Sequence, residues 1–212
     1  MFRWRGKQPA PAQAPAPVLA TPEHAIASSH VFPKFLSAVR RRERPAILDL
    51  GPVAGTNVDF FARHLSSKLH IADPFEDIEA ASRKGAAHGL GRTLISRIGL
   101  GPETVDGILC WDVFDFLDQP TALLLASHLE TLLRRGGALY GFFGTTPIDL
   151  THYTRYVVER EDRFRLRPFA ATPVRRRVLL TRDINNMFDR LVLADSVLLK
   201  SGTRETLFRR PA

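Results

Sequence analysis

Two aspartates and the glycines of one loop are the strongest candidates for chemistry in this sequence. Residues 49–55 read DLGPVAG and stand between an apolar run and an amphipathic segment. Glycine is needed where a chain turns sharply or a ligand approaches the backbone, and N–H groups at a helix start bind polar or anionic groups. Asp73 follows near the spacing at which an acidic side chain accepts hydrogen bonds from a ribose. The pattern predicts a site for a ribose-bearing ligand.

Two buried strands must hold these acids. The apolar run of residues 45–51 (PAILDLG) is typical of a strand that ends in a loop, and residues 68–73 (KLHIAD) form a second run that ends in an acid. Between them, residues 57–65 place apolar side chains on one helical face. The order of strand, helix and strand predicts a parallel sheet with right-handed crossovers.

The rest of the chain continues this alternation. We predict the following elements: a helix over 76–90, a weak strand or a helix remnant over 92–98, a strand over 105–111, a helix over 120–135 ended by Gly136 and Gly137, a strand over 138–143, a helix over 181–191, and a hairpin of 195–199 with 205–209. The fold class is therefore α/β. We expect a single Rossmann-like three-layer domain, with a mostly parallel sheet and an antiparallel C-terminal strand or hairpin.

The N-terminal part divides into a tail and a helix. Residues 1–22 are rich in proline and alanine without hydrophobic periodicity, which predicts a disordered tail. Residues 23–42 carry apolar side chains at roughly helical spacing, interrupted by Pro33, and predict a helix or helix pair that leads into the domain. The domain is thus expected to span residues 23–212.

With these elements in place, the sequence resembles the class I S-adenosylmethionine-dependent methyltransferases. Their loop often reads acid-x-Gly-x-Gly-x-Gly, and Asp49, Gly51 and Gly55 match it, while Val53 replaces the middle glycine. Residues 104–117 (TVDGILCWDVFDFL) resemble the family's fourth strand and the loop beside the reactive centre. The resemblance extends over about residues 45–209 and rests on element order as well as on one motif.

The resemblance implies S-adenosylmethionine as the cofactor and methyl transfer as the activity. It implies that Gly51, Pro52 and Gly55 line the methionine portion, and that Asp49 holds the loop or, through water, the ammonium group. It further implies that Asp73 binds the ribose hydroxyls. The residues expected to border the sulfonium are Cys110, Trp111 and Asp112. Core packing is the alternative for Trp111, and helix capping or a solvated loop is the alternative for Asp112.

Methyl transfer needs an in-line approach and a nucleophile that has lost its proton, so a dedicated base is optional. The candidate catalytic residues are Asp112, Asp115, His152 and Tyr153. The last two follow the predicted strand over 138–143, where a substrate could be met. No metal is expected, because the sequence contains a single cysteine and its seven histidines lack the spacing of a metal site.

Other functions remain open at this stage. A non-catalytic methyltransferase-like module could use the basic C-terminal region to bind a protein or nucleic acid. An NAD(P)-binding oxidoreductase would share the acid after the second strand, but the dinucleotide loop expects a second glycine two residues after the first. An RNA methyltransferase would use arginines to grip phosphates, and the candidates are Arg163, Arg165, Arg167 and 175–177.

Charge is distributed unevenly along the chain. The formal net charge is +8, with basic residues concentrated in 1–44 and 151–212 and an acidic balance in 45–150. Basic flanks attract polyanions, although a small molecule or protein is the favoured methyl acceptor. The lone Cys110 indicates no disulfide, and the apolar runs are shorter than a membrane span. We therefore expect a cytoplasmic protein with no membrane span.

Overall fold

The computed structural model describes residues 25–85 and 88–212, and its largest element is a six-stranded sheet. The strands are β2 (Ala46–Asp49), β3 (Lys68–Ile71), β4 (Val105–Trp111), β5 (Leu133–Gly144), β8 (Val192–Leu198) and β9 (Thr203–Arg209). Their order is β3-β2-β4-β5-β9-β8. The first four are parallel, and β9 pairs antiparallel with both β5 and β8. The predicted α/β class with a mostly parallel sheet is confirmed.

Within the described residues, six α-helices cover the two faces of this sheet. They are α1 (Phe32–Val39), α2 (Gly55–Leu65), α3 (Phe75–Lys84), α4 (Leu90–Ile98), α5 (Gln119–Leu132) and α6 (Thr181–Met187). Strand β4 is buried along its whole length, because its side chains alternate between two hydrophobic cores, one on each face of the sheet. Ile108 and Cys110 face the core under α3 to α6, whereas Leu109 and Trp111 face the core under α1 and α2. At Gly107 a Cβ would lie 2.8 Å from Val39, so α1 packs directly against the strand.

A second, three-stranded antiparallel sheet was not predicted. Its strands are β1 (Ile26–Ser28), β6 (Asp149–Arg160) and β7 (Arg163–Arg175), in the order β1-β7-β6. Tyr153 and Thr154 of β6 are both buried although successive side chains of a strand point to opposite faces, so both faces of β6 are covered at this point. The simple alternation that marks a strand in sequence is lost there.

Several predicted boundaries were wrong. Residues 26–28, which precede α1, form strand β1 and not a helix, because their backbone pairs with β7. Helix α5 ends at Leu132, and Gly136 and Gly137 lie inside β5, where the pairing with β4 shifts register. Residues 90–98 form a helix, which was one of the two alternatives. The predicted tail over 1–22 lies outside the described residues.

Candidate functional site

The site lies where the order of the parallel strands reverses. The chain runs from β2 outward to β3, and then returns to place β4 on the other side of β2. In open α/β sheets, ligands bind outside the carboxyl ends of the strands at this point. Asp49 ends β2 and Trp111 ends β4, so both lie at this edge.

Asp49 fixes the start of the glycine loop. Its carboxylate is buried, and Oδ1 accepts hydrogen bonds from the Gly51 N–H at 2.8 Å and from the Trp111 indole Nε1–H at 2.6 Å. Burial raises the pKa of Asp49 to about 6, because the two hydrogen bonds only partly offset the loss of solvation and the charge of Asp73 raises it further. A positive group near this carboxylate would be stabilised.

The loop then leads into an uncapped helix. Ala54 precedes α2 with an extended backbone, and within the described part of the chain no side chain caps the helix or places an acid in its first turn. Gly55 is exposed and a Cβ there would meet nothing within 4 Å, whereas Pro52 is buried. The first N–H groups of α2 are therefore suited to an anionic or polar ligand.

Asp73 stands at the end of the neighbouring strand β3. Its Oδ1 accepts a hydrogen bond from the Phe75 N–H at 3.0 Å and so supports the start of α3. It lies close enough to Asp49 for its charge to raise the pKa of that carboxyl. Among the described residues, the second oxygen takes part in no hydrogen bond. Asp73 thus combines a structural role with an acceptor available to a ligand.

Trp111 fills the space beside the first glycine of the loop. A Cβ on Gly51 would lie 2.7 Å from the indole atoms Cδ1 and Nε1. The indole is 1% exposed and stacks on Tyr156 with ring centroids 5.0 Å apart, and it meets Tyr140 and Phe164 edge-on. The Trp111 backbone has a φ of 47°, a conformation that costs energy for a residue with a side chain. Trp111 therefore packs in the core and also lies beside the glycine loop.

Asp115 and Arg176 form a second group of charges. Asp115, in the 3-10 turn Val113–Phe116, is buried; its Oδ1 accepts from the Gly144 N–H at 2.8 Å, and its Oδ2 lies 2.9 Å from Nε of Arg176. Burial raises the pKa of Asp115 to about 6 despite Arg176 and that hydrogen bond. The Arg176 side chain is only 10% exposed. Asp115 and Arg176 therefore form a buried ion pair close to Asp112.

Asp112 has one satisfied and one unsatisfied oxygen. Oδ2 accepts a hydrogen bond from the Tyr156 hydroxyl at 3.2 Å, whereas Oδ1 is buried without a partner among the described residues. Burial and the charge of Asp115 raise the pKa of Asp112 to about 7, against the opposing effects of Tyr156 and Arg176. A carboxyl with this pKa can accept a proton near neutral pH.

Asp112, Asp115 and Arg176 line a cavity of about 340 Å³ between the large sheet and the small one. His152 also lines it, and burial lowers the pKa of this imidazole. Tyr153 does not line it: its hydroxyl donates to Glu79 at 2.9 Å, and its ring packs on Phe75 and Phe116. The structure therefore brings three of the four candidate catalytic residues together and places Tyr153 elsewhere.

Sequence reasoning missed Arg176 and Tyr156 as site residues. Arg176 stands in a run of three arginines that only the RNA methyltransferase alternative assigned, to phosphates. It turns inward, while its neighbour Arg175 pairs with Asp149 at the surface. Cys110, expected beside a ligand, is buried in the opposite core, and burial raises its pKa far above the ordinary value. In the sequence, three consecutive arginines at 175–177 give no signal that separates Arg176 from its neighbours.

Comparisons with known proteins bear on the fold. No protein-family model matches the sequence, and no curated protein matches it either. The PH0226 protein from Pyrococcus horikoshii OT3 has a similar structure, with 12% identity, a TM-score of 0.53, and coverage of 85% of this chain and 87% of that one. An S-adenosylmethionine-dependent methyltransferase from Clostridium acetobutylicum ATCC 824 has 13% identity, a TM-score of 0.51, and coverage of 85% and 92%.

The CcbJ methyltransferase from Streptomyces caelestis is also similar, with 17% identity, a TM-score of 0.50, and coverage of 85% of this chain and 94% of that one. At these identities the similarity establishes the fold alone. The α/β fold that the resemblance implied is thus confirmed. No helix in residues 25–85 or 88–212 is long and apolar enough to cross a membrane.

Proposed function

We propose that this chain transfers a methyl group from S-adenosylmethionine to a small-molecule acceptor held in the cavity of about 340 Å³. One observation carries this proposal: consecutive residues at the end of β4 reach two different places. Trp111 reaches the glycine loop, and Asp112 reaches the cavity. A cofactor at the loop and an acceptor in the cavity would therefore be neighbours, as direct transfer between them requires.

The residues at the loop suit this cofactor chemically. Asp73 would accept hydrogen bonds from the ribose hydroxyls, and the uncapped N-terminus of α2 would face the carboxylate of the methionine end. Asp49 would offset the ammonium charge, through water or through the loop. The indole of Trp111 occupies the space beside Gly51, so binding of the methionine end requires that ring to turn away.

The chemistry at the acceptor falls to the chain's own residues. When bound, S-adenosylmethionine supplies an electrophilic methyl carbon whose bond to the sulfonium sulfur breaks as the acceptor's new bond forms, leaving a neutral thioether. The Asp112 carboxylate, which lines the cavity, takes the proton that the acceptor's hydroxyl or N–H group loses. Arg176 and Asp115 hold the cavity wall in place, and His152 stands at its edge. We place this reaction in the cytoplasm, since the only cysteine is a free thiol.

Cofactor binding can be measured at Trp111 itself. The chain has two tryptophans, so Trp4→Phe leaves Trp111 as the only one. We expect a saturable change in tryptophan fluorescence on addition of S-adenosylmethionine or S-adenosylhomocysteine, with matching heat in calorimetric titration, because the buried indole must move. A folded chain that gives neither signal contradicts the proposal.

Asp73→Asn tests the ribose contact. The amide oxygen can still accept from the Phe75 N–H, so the start of α3 is kept while the charge is lost. We expect binding to weaken about tenfold or more, the usual effect of losing a charge-assisted hydrogen bond. Glu76→Gln, an exposed acid in the first turn of α3, is the matched control and should bind like the wild type.

A further inference from the structure

Two residues that line the cavity carry buried polar atoms without a hydrogen-bond partner. Among the described residues, these atoms are Asp112 Oδ1 and the Nε and Nη1 of Arg176. A buried polar atom without a partner is destabilising, so three such atoms on two residues of one cavity wall indicate a ligand that satisfies them.

The rest of the cavity wall is mainly apolar. It includes Phe116, Phe142, Ile148, Leu150, Leu166 and Leu199. A volume of about 340 Å³ lies at the lower end of the range for small-molecule sites, so the occupant is a compact molecule. Apolar walls with few polar groups select a largely apolar skeleton and use the polar groups for orientation.

The charge balance argues for a neutral occupant. Arg176 is already paired with Asp115, with Nε and Oδ2 2.9 Å apart, so its charge is compensated while its Nη1 still has a hydrogen to donate. A carboxylate ligand would add a negative charge beside Asp112 and Asp115, and burying an uncompensated charge is costly. A carbonyl oxygen satisfies Arg176 without that cost.

We propose that the cavity binds a small, neutral and largely apolar molecule that offers a carbonyl oxygen to the guanidinium of Arg176 and an O–H or N–H group to the carboxylate of Asp112. That this molecule is the methyl acceptor rests on the proposed function. In that role the same O–H or N–H group is the nucleophile, and its proton passes to Asp112. The carbonyl bonded to Arg176 orients it.

Binding is tested without cofactor, by calorimetry or ligand-observed NMR, with two probes that space the groups differently: 2-quinolone and 4-hydroxyacetophenone. We expect at least one of them to bind saturably. The matching compound without a donor, N-methyl-2-quinolone or acetophenone, should bind about tenfold more weakly or worse. Quinoline-2-carboxylate supplies the anionic comparison. Tighter binding of this anion than of both neutral probes overturns the proposal, as does the absence of binding by every probe.

Two variants locate the contact. Arg176→Gln should weaken probe binding about tenfold, while Arg175→Gln, its exposed neighbour, should leave it unchanged. Because Arg176 is part of a buried pair, circular dichroism must first verify that the variant folds. Asp112→Asn, which keeps the side-chain shape, provides the second measurement, and unchanged probe binding in both variants overturns the assignment.

The outcomes separate this inference from the proposed function. A probe that binds in the cavity but is not methylated after addition of S-adenosylmethionine contradicts the proposed transfer and leaves the ligand class standing. Saturable cofactor binding with no binding of any probe contradicts the ligand class and leaves the proposed cofactor site standing.

Discussion

The glycine loop and the cavity differ in how the protein treats their buried polar groups. At the loop, Asp49 makes two hydrogen bonds and the indole of Trp111 fills the space beside Gly51. At the cavity wall, Asp112 keeps one buried atom and Arg176 keeps two without a hydrogen-bond partner among the described residues. On the proposed function, a ligand at the loop displaces the Trp111 indole, whereas a ligand in the cavity enters space that is already present.

The largest effect is expected at Asp112. Asp112→Asn removes the proton acceptor with little change in shape, and we expect kcat for methyl transfer to fall by about 10²–10⁴-fold. Cofactor binding at the loop should be kept, since Asp112 is not among the contacts of Asp49 or Gly51. Steady-state kinetics with a probe that the wild type methylates measure the change. A fall in kcat smaller than threefold would remove Asp112 from the mechanism.

The pH profile sharpens this prediction. The raised pKa of Asp112, about 7, means that the carboxylate form needed as a base increases as pH rises through that value. Wild-type kcat should therefore rise with pH between about 6 and 8, reach half its maximum near pH 7 and level off above about 8. In Asp112→Asn this rise should disappear while the residual rate stays flat.

Trp111→Ala tests the closed state of the loop. The variant loses a large buried side chain and one hydrogen bond to Asp49, so we expect the free energy of unfolding to fall by about 3–5 kcal/mol in urea denaturation. S-adenosylmethionine should bind more tightly than to the wild type, because no ring has to leave the space beside Gly51. Weaker binding by a folded variant would instead make the indole part of the cofactor's own contact surface.

Asp118→Ala provides the smallest effect and a reference for both regions. Asp118 caps α5 by accepting from the Thr121 N–H at 2.9 Å and lines neither the loop nor the cavity. We expect a loss of about 1 kcal/mol in unfolding free energy with kcat unchanged. A change in kcat would mean that the kinetics of the other variants reflect stability and not chemistry.

Elements with strong local patterns could be predicted. Strands β2 and β4 are short apolar runs that the sequence marks clearly, and the loop with Asp49 and Asp73 was placed at the correct edge of the sheet. The small sheet could not be predicted, because its strands are stabilised by pairing between distant segments and β6 is interrupted by a register shift. The same limit explains the N-terminal strand, which forms only where β7 offers it a partner.

The sequence by itself determined the order along the chain of the strands in the six-stranded sheet, the acids at the strand ends and the candidate bases, because each follows from the residue pattern of a few neighbouring positions. Only the tertiary structure decided which polar groups meet. The Trp111 indole reaches Asp49 from 62 positions along the chain, and Arg176 turns inward to Asp115 while Arg175 stays at the surface. Such choices depend on close packing between distant segments, which local pattern does not encode.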